Sequence, residues 1–214
     1  MEHLDQIINT ISLAMGVGWA SGINLYATLL MLGVLGATGS MTLPPDLQIL
    51  AHPLVIGAAG CMYLVEFVAD KIPGVDTGWD SIHTFIRIPA GALLAAGAMG
   101  DVAPAISLGA AIVGGGLAAG THATKAGSRV LINTSPEPLT NWLASLSEDL
   151  LVFAAIWASL NHPVIFLGLL VVSIALMVWL IPKIWQGIKK VFRFVARLFG
   201  SRPAAGDDGE DPAG

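Results

Sequence analysis

The sequence predicts an all-α membrane protein, a bundle of six transmembrane helices. Three observations carry that prediction. The 214 residues are 55% hydrophobic and only 12% charged, about half the charged share of soluble domains, roughly 25%. Several apolar runs reach the about 20 residues that a bilayer crossing needs. The same runs are too long for tilted barrel strands and show no apolar/polar alternation. The mean hydropathy, +0.75, agrees.

The first 22 residues do not read as a cleavable signal, because no Lys or Arg precedes their apolar stretch. Residues 4–18 read as a half-length helix, lying in the cytoplasmic interface or dipping into the protein. Joined to the next run they would make a helix of about 50 Å, against a hydrocarbon core of about 30 Å. "GVGWASGIN" (16–24) supplies the break, since Gly16, Gly18 and Gly22 weaken a helix and Ser21 or Asn24 can cap the next one.

Six crossings follow, at about 22–38, 52–72, 80–99, 104–126, 139–160 and 163–182, together making a transmembrane domain over 1–182. Residues 183–202 alternate Lys and Arg with Ile184, Trp185, Ile188 and Phe192. That pattern predicts a separate amphipathic helix in the headgroup region, favouring anionic lipids of the bilayer. Residues 203–214, rich in Asp, Gly and Pro, read as a disordered acidic tail.

With six crossings, all ten Lys and Arg fall on one side. The positive-inside rule makes that side cytoplasmic and places both termini there. Five or seven crossings would spoil this sorting.

Polarity inside the apolar chain concentrates in two turns on that side. Residues 65–91 hold six of the 25 Asp, Glu, Lys and Arg residues, and 120–149 form the second turn. "ADKIPG" (69–74) and "ATKAG" (123–127) each end a crossing in a similar way, and a tryptophan, Trp79 or Trp142, follows. The likeness suggests an internal repeat of two parallel hairpins.

Helical spacing groups the candidate site. Glu66 and Asp70 share a face, as do His83 and Arg87, and His122, Lys125 and Arg129 line another. Asp80, Asn133 and Asn141 sit at the turns. Lys71, Lys125 and Asp76 also fit solvated helix ends. Arg87 does not, lying about 10 Å into its helix beside Pro89, which reads as a second break that opens backbone carbonyls. Glu148 and Asp149 lie about 15 Å into the fifth crossing, where an unpaired carboxylate costs several kcal/mol. One of them should face the bundle and pair with Arg87 or His122.

Other chemistry is weak. The five histidines and the lone Cys61 form no metal-binding spacing, and no cofactor signature or nucleophilic triad stands out. Nucleic acid is disfavoured, because the basic run belongs to a membrane-surface helix.

"ASGIN" (20–24), "EFVADKIPGVDTGWDSIHTFIRIPAGALLA" (66–95) and "TKAGSRVLINTSPEP" (124–138) resemble DUF4126, a family of uncharacterised bacterial integral membrane proteins. The resemblance covers roughly residues 8–180 and implies a compact helical protein of the bacterial inner membrane. It implies no activity.

The expected function is a small transporter or channel for an ion or small polar solute. Two hairpins would form its cytoplasm-facing polar vestibule. A lipid or polyprenyl-phosphate flippase and a non-transporting scaffold are the alternatives. A membrane hydrolase using His83 and Asp80 ranks last, so the chain is not read as an enzyme. A homo-oligomer stays open.

Overall fold

The structure is a computed structural model that describes residues 2–134 and 138–200. The acidic tail at 203–214 lies outside the described residues. Seven α-helices follow in order: α1 (Glu2–Ile23), α2 (Leu25–Ala37), α3 (Pro53–Ala69), α4 (Val75–Ala98), α5 (Pro104–Ile132), α6 (Pro138–Asn161) and α7 (Pro163–Gly200). A 3-10 helix, Pro45–Ala51, precedes α3. No strand occurs among the described residues.

Among the described residues three helices, α5, α6 and α7, are long and apolar enough to cross a membrane. A fourth is added if the 3-10 helix and α3, bent by 70°, form one span. α4 is as long as α6, but Asp76, Asp80 and Arg87 dilute its apolar character.

Close contacts between small residues set the directions of the helices. Gly114 of α5 meets Gly91 and Ala95 of α4, so these two run antiparallel. Gly120 and Gly127 of α5 face Met177 and Ile184 of α7, so those two run parallel. α1 also runs parallel to α5, because Gly18 lies against Gly114 and Gly22 against Ala118 and Thr121. Glycine lets helix backbones approach this closely, which gains dispersion contacts where lipid provides no hydrophobic drive.

The bundle therefore has two ends. One carries the α3–α4 and α5–α6 turns and the far end of α7. The other carries the α4–α5 and α6–α7 turns, the 3-10 helix and the start of α1.

Of the two places left open for residues 4–18, the fold takes the one inside the protein, and the helix is not half-length but runs from Glu2 to Ile23. From Ser12 to Ile23 α1 is largely buried, forming the centre of the core with Leu32, Leu94, Val152 and Ile156. The N-terminus consequently stands at the end opposite the C-terminus of α7, not on the same side. The run 22–38 holds a helix of only 13 residues, α2, which measures about 20 Å, short of a hydrocarbon core of about 30 Å. It leaves Asn24 at mid-bundle and returns to the opposite end, where Gly36 packs on Leu43 and Ala51.

Asn24 is the break, as expected. Its backbone is extended and its side chain caps α2 by accepting from the Ala27 N–H. Gly22 is not a break. It lies inside α1, where its missing side chain admits Thr121.

Pro89 does not break α4, which runs unbroken from Val75 to Ala98. One missing ladder hydrogen bond is tolerated because the flanking seam of Gly91 and Ala95 against Gly114 and Ala118 packs the helix closely on α5. Nor does a separate surface helix begin at 183. α7 continues through Pro182 for 38 residues, about 57 Å. Ile184 is buried against Gly127, and Gly187 packs on Leu131. This contact with α5 holds the stretch upright as far as Gly187.

Candidate functional site, a buried charge network

Four helices and one loop aim charged side chains at a common point. α4 contributes one polar stripe, because Asp76, Asp80, His83 and Arg87 recur at helical spacing and all are buried. α5 adds His122, Lys125 and Arg129 from one face. α3 ends with Glu66, followed by Asp70, and α6 brings Asn141, Ser145, Glu148 and Asp149.

Arg87, fully buried, donates to Glu66 Oε1 at 2.6 Å and to Asp80 Oδ1 at 3.0 Å. It also donates to His122 Nδ1 at 3.2 Å. That nitrogen must then be unprotonated, so Nε2–H donates to Thr84 Oγ1 at 2.7 Å, and Thr84 donates onward to the Asp80 carbonyl. These bonds require neutral His122.

Lys125 is the hub. Its Nζ lies 2.7 Å from Asp70, 3.5 Å from both Glu66 and Glu148, and 3.9 Å from Asp80. It also donates to the carbonyl of Ile23, the last residue of α1, at 3.1 Å. Arg129 grips Glu148 with Nε at 3.3 Å and Nη2 at 2.6 Å. Its Nη1 donates to the Asp70 carbonyl and to Asn141. Only a planar guanidinium presents so many donors in fixed directions.

The two turns are tied by Asp76. It accepts from Asn133 Nδ2 at 2.8 Å and from Asn141 at 3.3 Å, while receiving the N–H groups of Gly74 and Thr77. At the broken helix, Asn24 donates to Asp149 at 2.9 Å. Tyr26 lies 3.1 Å from His83, whose ring stacks on Trp79.

All the expected site residues in the two turns and on α6 are thus brought together. Several roles differ from expectation. Lys71, Lys125 and Asp76 are not solvated helix ends. Lys71 is buried against the Phe67 ring and donates to Ser145, and Asp76 is 0% exposed. Both acids of α6 are engaged, Glu148 with Arg129 and Lys125 and Asp149 with Asn24, rather than with Arg87 or His122.

The network is also closed rather than a vestibule. Among its ion-paired side chains Glu148, at 17%, is the most exposed. It lines a cleft of about 220 Å³.

Sequence reasoning missed Asp76, Ser145 and Tyr26 as partners. A signal for one group existed, since Asn141, Ser145 and Asp149 repeat every four residues.

The charge balance is uneven. Six carboxylates (Glu66, Asp70, Asp76, Asp80, Glu148 and Asp149) face four cations (Lys71, Arg87, Lys125 and Arg129). Glu66 Oε2, Asp70 Oδ1 and Asp80 Oδ2 are buried without a hydrogen-bond partner, as is Arg87 Nε. Buried ions need both partners and satisfied lone pairs, and losing one partner of such a pair costs about 3–5 kcal/mol. No group of three or more His, Cys, Asp or Glu among the described residues is arranged to hold a metal ion. The carboxylates surround ammonium and guanidinium groups instead.

The sequence model of a family described as "Domain of unknown function (DUF4126)" matches residues 11–183, a stretch that contains the whole network. No curated protein and no solved structure matches the chain.

Proposed function

We propose that this chain, which belongs to the DUF4126 family, is a small membrane transporter or channel for an ion or small polar solute, with the charge network as its working site. The observation that carries this reading is the meeting of a broken helix with that network. The Ile23 carbonyl accepts from Lys125, and Asn24 binds Asp149. Transporters commonly bring the ends of discontinuous helices to buried ionisable groups, where backbone dipoles and charges act on one ion.

Laying the hydrocarbon core along residues 163–182 of α7 gives a membrane placement. α3 to α7 cross, while α1 and α2 form a re-entrant hairpin entering from the far side. Five crossings keep the sorting of basic residues, because the hairpin enters and leaves on one side. The turns and the C-terminus are then cytoplasmic in a bacterial inner membrane, and the N-terminus is outside. Lys189, Lys190 and Arg193 extend past the turns toward anionic headgroups. We read the likeness of the turns as an internal repeat of α3–α4 and α5–α6.

A non-transporting scaffold is the second reading. It is favoured by the pairing of Arg87, Lys125 and Arg129 with at least two carboxylates each. The flippase reading is weaker, because Arg87 and Arg129 are fully buried and face carboxylates rather than a headgroup-sized opening.

The test uses the full chain in liposomes on a solid-supported membrane, with steps in pH, Na⁺, Mg²⁺ and small anions. A specific current that is lost in Glu148→Gln at equal incorporation is the expected result. No current under any step, with no pH or ion change reported by a dye inside the liposomes, would sink the reading and leave the scaffold.

A further inference from the structure

Two features of the network remain unexplained by its pairing. The first is the excess of acids over bases, with Glu66 Oε2 and Asp80 Oδ2 fully buried and unpartnered although both carboxylates bind Arg87. Uncompensated charge on buried carboxylates is costly, and a proton bound to one of them relieves it. The second is the cleft beside Lys125 and Glu148. Its wall carries Thr121, Thr124 and Ser128 of α5, Ser173 of α7 and Trp19 of α1. The rest of its lining, Ile23, Leu151 and Met177, is apolar, and Thr121 and Thr124 donate to carbonyls of their own helix, so Lys125 and Glu148 are its ionisable groups.

We propose that the network binds a proton on Glu66 or Asp80, exchanged through this cleft with Glu148 as the entry carboxylate. The proposal rests on the transport reading and names its ion as the proton.

Lys125 stands between them, its Nζ 3.5 Å from Glu148 Oε2 and from Glu66 Oε1 and 3.9 Å from Asp80 Oδ1, the last two being the oxygens that hold Arg87. A proton from water in the cleft binds a Glu148 oxygen. Lys125 passes one proton to Glu66 or Asp80 and takes one from Glu148, so its own charge is unchanged. The network's charge rises by one for each proton bound. The charged groups facing Glu66 and Asp80 are Arg87 of α4, Lys125 of α5 and Asp70 of the loop after α3, and those facing Glu148 are Lys125 and Arg129 of α5 with Lys71 of the same loop. Arrival of the proton weakens Glu148's hold on both α5 cations, which couples occupancy to the packing of α6.

Infrared difference spectroscopy of the reconstituted full chain tests this. The protein carries Cys61→Ala and Ser128→Cys, the first because Cys61 is exposed. The expected result is a carbonyl band of a protonated carboxyl at neutral pH, diminished in Glu66→Gln or Asp80→Asn. Its shift in deuterium oxide should slow at least about tenfold once a bulky thiol reagent occupies position 128. Absence of the band overturns the proton. A band whose exchange ignores the blocked cleft overturns the path. Either failure leaves the transport reading standing if another ion carries current, whereas a band without any current removes transport and keeps the proton site.

Discussion

Arg129 shows how much one side chain can fix. It holds Glu148 by two nitrogens and reaches the Asp70 carbonyl and Asn141 by the third. Arg129→Lys keeps the charge and loses the fork, so several buried acceptors lose their donor. The expected loss is roughly 2–3 kcal/mol, read as a fall in thermal unfolding temperature in detergent. Lys189→Met, at an exposed position of α7, should stay within about 0.5 kcal/mol. Equal shifts for both would mean that Arg129 is not held as described. Asn24→Ala removes the cap of α2 and the partner of Asp149, for about 1–2 kcal/mol or more in the same assay. At this scale the sequence was readable where spacing put ionisable residues on one face. It was not readable for Asp76 and Lys71, since a charge near a helix end looks the same whether water or another turn covers it.

Elements obey packing more than local propensity. Gly22 and Pro89 both look like breaks in the sequence, and neither is one. Gly22→Val would push a branched side chain into Thr121 and the Ala118 carbonyl. Overpacking of this kind costs about 1–3 kcal/mol, and the check is the unfolding temperature in detergent against wild type. Pro89→Ala should have the opposite sign or none, because it restores a ladder hydrogen bond in a helix that is already continuous. A marked loss of stability would show that the proline is needed to shape α4. The continuity of α7 has a similar origin. Its basic stretch carries an amphipathic pattern, but Ile184 and Gly187 find partners on α5 and extend the helix as one piece.

For the whole molecule, the placement of α1 has the largest consequence. It runs parallel to α5 through the core, so the two termini leave from opposite ends of the bundle. Reporter tags at the N- and C-termini should therefore be reached from opposite sides of intact membrane vesicles by an impermeant protease. Tags cleaved from the same side would restore the six-crossing arrangement and remove the re-entrant hairpin.

The sequence by itself determined the helical class, the apolar runs of α5, α6 and α7, and the two polar turns. These follow from composition, run length and helical periodicity, which are local properties. Only the tertiary structure decided that α1 is the central helix, that α2 doubles back, and that the charges of both turns close into one network. Glycines set close against neighbouring backbones, and the partners of a buried charge, depend on contacts across the chain. Ser12 and Ser159, 147 residues apart, are joined by one hydrogen bond that no local pattern announces.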